Sequence, residues 1–285
     1  MNVYWLEQTE ADVPVKNDWL SANEKACLSA LRFPKRRADW RLGRWTAKCA
    51  ISAYLSLPSA LESFREMEIL QAKDGAPDVF VDGHAAAITI SLSHSSGVAI
   101  CAVAPPDTHL GCDVELVEQR SHEFVTDYFT AEEQAEVAGA AEERRDQVVT
   151  LFWSAKESAL KALRAGLRLD TRSVIVDNQD PSLNRTQWSP LRVRYVGDFS
   201  PKSVSPKDHL PRHLLPQDFD NEDRYRGEQV FDGWWQATNN VVRTMVASPR
   251  PDSPTLLDVR EHGASRPCSS QSSRKFESKA GVRVA

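Results

Sequence analysis

Read for the spacing of its apolar side chains, the chain opens with two helical stretches. Apolar residues recur every three or four positions over 23–31 and again over 37–54, and Leu57-Pro58 closes the second run. The period then changes. Over 87–94, Ile88, Ile90 and Leu92 alternate with Thr89, Ser91 and Ser93, the repeat of a half-buried strand, while 98–104 is apolar throughout. Ser95-Ser96-Gly97 separates these runs and Pro105-Pro106 stops the second, which predicts a hairpin. A short strand over 110–117 follows, then a charged helical region over 130–147 and a helix with one apolar face over 148–165. Prolines at 181, 190, 201, 206, 211 and 216 break the pattern, leaving a strand at 191–196 and an irregular insertion over most of 197–227. Val241, Val242, Thr244, Met245 and Val246 suit a closing strand. Helices mixed with antiparallel strands predict an α+β fold.

Composition narrows the function classes. With 285 residues, 41% apolar and 26% charged, the chain can bury one large core or two modest ones. No run approaches the roughly 18 apolar residues of a membrane helix. The opening MNVYWLEQTE carries acids where a secretory leader carries a basic patch, so a cytoplasmic protein without a membrane partner is expected. Five cysteines without paired spacing suggest neither disulfides nor zinc, and Cys49, Cys101 and Cys112 read as small core residues. A net charge of −5 does not favour a nucleic-acid partner. One local exception is the run Arg32, Lys35, Arg36, Arg37, Arg41, Arg44 and Lys48, opposed only by Asp39. It fits a solvated helix face, a nucleic-acid contact or a site for a compact polyanion. The segment 249–285, rich in Ser, Pro and Arg, is expected to be a disordered tail.

Three segments carry candidate chemistry. In Gly111-Cys112-Asp113-Val114-Glu115 a strand would put Asp113 and Glu115 on one face and Cys112, Val114 and Leu116 on the other. Such a carboxylate pair suits Mg²⁺, which takes one or two carboxylates and completes its shell with water and phosphate oxygens; it also fits an ordinary edge strand. In FWSAKESALK, at 152–161, a helix aligns Trp153, Glu157, Lys161 and Arg164 in one stripe, where Glu157 and Lys161 could be simply a surface ion pair. Lys156 falls within the apolar arc of Phe152, Ala159, Leu160 and Leu163, so its ammonium must snorkel outward or meet an anion, and a ligand phosphate would serve. Ser91-Leu92-Ser93-His94-Ser95 places hydroxyls and an imidazole at a strand end, able to hold phosphate oxygens or to act as a plain surface turn.

Taken in order over 32–166, these segments resemble the surfactin-type 4'-phosphopantetheinyl transferases: the arginine-rich helix RFPKRRADWRLGR, the strand SLSHS, the strand GCDVE and the helix FWSAKESALK. The resemblance implies a pseudo-twofold monomer of two similar α+β halves, 1–108 and 109–248, with coenzyme A in the cleft between them. It implies transfer of the phosphopantetheine arm to a serine of an apo acyl or peptidyl carrier protein. By the same resemblance Asp113, Glu115 and Glu157 would ligate Mg²⁺, while Arg32, Arg37, Arg44, Ser93 and His94 would hold phosphates. Lys156 and Lys161 would reach the pyrophosphate, and Glu157, directly or through a metal-bound water, would accept the serine proton. The family's Gly-Lys-Pro is Gly75-Ala76-Pro77 here, with Lys73 the nearby substitute. A carrier, typically acidic, would dock on Arg36 and Arg41 or on Phe124, Tyr128 and Phe129.

Overall fold

The computed structural model describes residues 1–58, 60–177, 187–197, 227–238 and 240–259. The first half runs β1 (Tyr4–Thr9), α1 (Ala22–Ala30), α2 (Pro34–Tyr54), α3 (Leu61–Glu66), β2 (Met67–Gln71), β3 (Pro77–Val81), β4 (His84–Ala85), β5 (Thr89–Ser95) and β6 (Val98–Ala104). The second runs β7 (His109–Leu116), α4 (His122–Tyr128), α5 (Ala131–Gly139), α6 (Glu142–Ala162), β8 (Val174–Asp177), β9 (Ser189–Gly197), β10 (Gly227–Thr238) and β11 (Val241–Ser248), with β12 (Thr255–Leu256) beyond. The mixed architecture agrees with the alternation of helical and strand periods in the chain.

The sheets are ordered β12-β1-β6-β5, β7-β11-β10-β9-β8 and β2-β3-β4. Helix α2 starts at Pro34, where a missing N–H costs nothing, and buries Leu42, Ala47, Ala50 and Ile51. It packs on β6 and β1, and α6 packs likewise on β7 and β11. Each long helix thus covers one face of its own sheet, and each has its own apolar core. A third core joins the two, with Trp5, Ile100 and Ala102 from one half meeting Cys112, Val114 and Met245 from the other. The edge strands β5 and β7 lie side by side there, and Cys112 N donates to Ser91 Oγ at 2.9 Å. Cys49, Cys101 and Cys112 are free and buried, as small core residues should be.

One buried arrangement occurs in both halves. Ser21 caps α1 in a capping box with Glu24, whose other carboxylate oxygen accepts from Ile69 N; Lys48 of α2 pairs with Glu24 and donates to the carbonyls of Phe64 and Met67. In the second half Thr130 caps α5 in a box with Glu133, which accepts from Val176 N; Lys156 of α6 pairs with Glu133 and donates to the carbonyls of Thr171 and Val174.

The sequence periods predicted none of β1, β2, β3, β4 or β8, and several boundaries differ from the expectation. The charged region and the apolar helix do not divide at 147–148; α5 ends at Gly139 and α6 begins at Glu142, where Glu142 and Glu143 meet the positive end of the helix dipole. Strand β10 reaches back to Gly227, with Phe231, Gly233 and Trp235 as its inward positions. At the start of the expected tail, β12 pairs in parallel with Tyr4 and Trp5, and Leu257 and Val259 pack on the first core. Residues 198–226 of the expected insertion, and 260–285 of the tail, lie outside the described residues.

Candidate active site at the junction of the halves

Gly111 decides how the site assembles. A Cβ at this position would lie 1.8 Å from the Ser158 carbonyl oxygen, so only glycine lets α6 lie directly on β7. Thr244 Oγ1 of β11 bonds Ser154 Oγ at 2.9 Å and Ser158 Oγ at 2.7 Å, which fixes the rotation of α6. The helix stripe carrying Glu157 and Lys161 is thereby turned toward the strand face carrying Asp113 and Glu115.

Asp113 is 3% exposed, and its Oδ1 accepts from Lys161 Nζ and from Ser93 Oγ, each at 2.7 Å. Its Oδ2 is buried with no hydrogen-bond partner among the described residues. Glu115 Oε2 accepts from Ser95 Oγ at 3.0 Å and Oε1 accepts from Trp153 Nε1 at 3.2 Å. Arg120 lies 4.0 Å from Oε2. Ser93 and Ser95 project from β5 in step with Asp113 and Glu115 on β7, so each hydroxyl of the first half orients one carboxylate of the second.

Burial pushes Glu157 up to about 7, offset in part by Lys161 and reinforced by the charges of Asp113 and Glu115. Glu115 is raised by burial and by Asp113. For Lys161 burial acts downward, yet Asp113, Cys112 and Glu157 outweigh it and its pKa is raised. The cluster therefore carries more negative charge than its one lysine balances. No three His, Cys, Asp or Glu residues among those described form a ready ligand set. The unpartnered Asp113 oxygen and the elevated Glu157 are what a hard divalent cation would relieve, so the donor set fits Mg²⁺ with phosphate and water completing the shell.

The remaining candidates divide. His94 stays accessible beside Gly43 of α2, 3.8 Å from where its Cβ would be. Desolvation lowers the His94 pKa, and the charges of Asp39, Lys161 and Asp113 all act on it. Arg32, Arg37 and Lys73 are exposed. Arg44 lies 5.0 Å over the Trp40 ring, and its Nε is buried without a partner among the described residues. Lys156 is not a phosphate ligand here: it is fully buried, and the anion its apolar arc demanded is Glu133 at 2.8 Å. Ser93, expected on a phosphate, gives its hydroxyl to Asp113 instead. Phe129 is fully buried and offers no docking surface, whereas Phe124 and Tyr128 are partly accessible around Trp153. Arg41 is tied to the carbonyls of Pro14 and Val15. Ser95, counted in the sequence among hydroxyls able to hold phosphate, instead orients Glu115, and Trp153, placed on the helix stripe without a role, does the same from α6. Concavities of about 420 Å³ beside Tyr4, Tyr54 and Leu257, and of about 250 Å³ beside Arg192 and Trp234, include none of the cluster.

Comparison with known proteins bears on this cluster. A family model of the 4'-phosphopantetheinyl transferase superfamily matches residues 109–210, the stretch that holds Asp113, Glu115, Glu157 and Lys161. The 4'-phosphopantetheinyl transferase HetI of a Nostoc species is 24% identical over 193 residues, 66% of this chain and 79% of the relative. A holo-[acyl-carrier-protein] synthase of Streptococcus agalactiae is 31% identical over 84 residues, 30% of this chain and 71% of the relative. The crystal structure of a holo-(acyl-carrier-protein) synthase from Bacillus anthracis, in complex with CoA (3',5'-ADP), has 21% sequence identity and a TM-score of 0.31, covering 36% of this chain and 92% of that one. The chain belongs to the 4'-phosphopantetheinyl transferase superfamily.

Proposed function

We propose that the protein transfers the 4'-phosphopantetheine arm of coenzyme A to a serine hydroxyl of an apo acyl or peptidyl carrier protein, releasing 3',5'-ADP, with Mg²⁺ as cofactor. The observation that carries this reading is the convergence of Asp113, Glu115, Glu157 and Lys161 from β7 and α6, steadied by Ser93 and Ser95 from β5. We further read the chain as a pseudo-twofold, surfactin-type monomer with the ligand in the cleft between its halves. The repeated Glu24–Lys48 and Glu133–Lys156 pairs support that, as does a site to which both halves of one chain contribute.

Asp113 and Glu157, with Glu115, would hold the ion. When bound, Mg²⁺ supplies Lewis-acid neutralisation of charge on the diphosphate. The chain's own groups do the rest. Lys161 stands at Asp113 and adds positive charge where the leaving group's charge grows. His94, with Arg32, Arg37, Arg44 and Lys73 toward the nucleotide, would hold the phosphates. Glu157, whose carboxyl pKa burial raises in the metal-free protein, would accept the serine proton. The serine oxygen forms a bond to the pantetheine-side phosphorus as the bridging P–O bond breaks, and the electron pair leaves with 3',5'-ADP.

The test is direct. Incubate the protein with coenzyme A, Mg²⁺ and an apo carrier, then measure the intact mass of the carrier. Gain of one phosphopantetheine, lost in Glu157→Ala, supports the reading; an unchanged carrier mass across a panel of acyl and peptidyl carriers refutes it. A coenzyme A-binding regulator without turnover would bind the nucleotide yet leave every carrier unmodified.

A further inference from the structure

We propose that Arg164, through Asp74, positions the β2–β3 turn of the first half at the nucleotide end of the coenzyme A site, and so sets affinity for coenzyme A without acting in the transfer itself. This rests on the function proposed above.

Arg164 lies just past α6 and crosses between the halves. Its Nε donates to Asp74 Oδ2 at 2.7 Å and its Nη2 to Asp74 Oδ1 at 3.1 Å, a two-point grip, with Asp78 Oδ1 3.4 Å from Nη2. Arg168 adds a bond from Nη2 to the Asp74 carbonyl at 3.0 Å, and a second to the Arg164 carbonyl at 2.7 Å. The gripped carboxylate also shapes the turn, since Asp74 Oδ1 accepts from Ala76 N at 3.1 Å. Asp74-Gly75-Ala76-Pro77 is therefore held from outside by the second half, and Lys73 rides on it, exposed.

Two features place this grip at the site. Glu157 and Lys161 share one stripe of α6, which ends at Ala162, and Arg164 follows just past that end, on the order of 10 Å from Glu157 at 1.5 Å per residue. That is the scale separating a diphosphate from the far end of its nucleoside. Strand β3, which leaves the turn, packs on β5, the strand of Ser93 and His94. The turn thus stands at one end of the carboxylate cluster. Arg164, at φ of +56°, is the left-handed residue that closes α6, with Ala165 N bonded to the Leu160 carbonyl, a conformation glycine adopts at lower cost.

The expected result for Arg164→Gly, which relaxes the backbone and removes the grip, is a Kd for coenzyme A by calorimetry and a KM for coenzyme A each raised about tenfold, with kcat at saturation and the KM for the carrier within about twofold. Asp74→Asn should do the same, and the double variant should be no weaker than either single one. Arg172→Ala, which breaks the exposed pair with Asp170 on the same half, should move neither constant. A fall in thermal midpoint with unchanged Kd for coenzyme A, a loss confined to kcat, or additive effects of the two changes would each overturn the assignment. If the wild-type protein binds coenzyme A and modifies a carrier while Arg164→Gly behaves identically, this inference alone fails; if wild type does neither, the proposed function fails with it.

Discussion

Asp113 and Glu115 occupy equivalent places on one strand face yet have different surroundings. Glu115 has both oxygens engaged, by Ser95 and Trp153, while Asp113 keeps one buried oxygen unpartnered. Removing an orienting hydroxyl should loosen a carboxylate rather than abolish chemistry. Ser95→Ala is expected to weaken Mg²⁺ affinity by about 10–100-fold, as outer partners of metal ligands commonly do, measured by calorimetry with 3',5'-ADP present. Glu157 should show its elevated pKa in stability. Between the ordinary carboxylate value of 4.5 and about 7, the unfolded chain has released this proton and the native state keeps it, so stability falls as pH rises through that window. Glu157→Gln should reduce that fall, melting above wild type at pH near 8 without Mg²⁺, while losing transfer activity by about 10²-fold or more. The alternation in GCDVE made the shared face of Asp113 and Glu115 legible; their partners were not, because Ser93 and Ser95 come from a strand 20 residues away and Trp153 and Lys161 from a helix 38 and 48 residues away.

At the scale of elements, the close approach of α6 to β7 governs the geometry. Gly111→Ala puts a methyl carbon onto the Ser158 carbonyl, and overpacking of a closed interface commonly costs about 1–3 kcal/mol or more. Reduced soluble yield or a lowered melting temperature, with activity lost in whatever folds, is the expected outcome. Lys156 teaches the converse lesson. Its apolar surroundings were readable from helical spacing, and so was its need for an anion; that the anion is Glu133 depends on how α5 packs, which no local pattern encodes. Lys156→Ala strands a buried carboxylate and should destabilise by about 3–5 kcal/mol, whereas Lys156→Met with Glu133→Gln, which removes the charge but keeps an acceptor for the Thr130 and Val176 N–H groups, should recover part of that in denaturant unfolding. Recovery of coenzyme A affinity along with stability would mark the lysine as structural, against direct phosphate contact. The helices and the hairpin of β5 and β6 were legible because their periods are regular. Strand β10 was hidden because its first residues follow a proline-rich stretch and its inward positions include a glycine.

Across the whole molecule, the two halves of the chain are joined by a shared core, by Arg243 with Glu7, by Arg164 with Asp74 and by serine–carboxylate bonds at the site. Among the described residues no helix is long and apolar enough to cross a membrane. The order of the motifs made the family legible from sequence, while the pairing of serines in one half with carboxylates in the other became visible only once β5 and β7 were placed edge to edge. The claim underneath is that the acidic cluster and a divalent cation grip the diphosphate together. Its most direct test is the coupling between Mg²⁺ and coenzyme A in equilibrium binding to the wild-type protein and to Asp113→Asn. The account predicts that Mg²⁺ tightens coenzyme A binding by about tenfold or more in the wild type and leaves Asp113→Asn unaffected, a coupling of about 1.4 kcal/mol or more. Equal affinity for coenzyme A with and without Mg²⁺ in the wild type would contradict it.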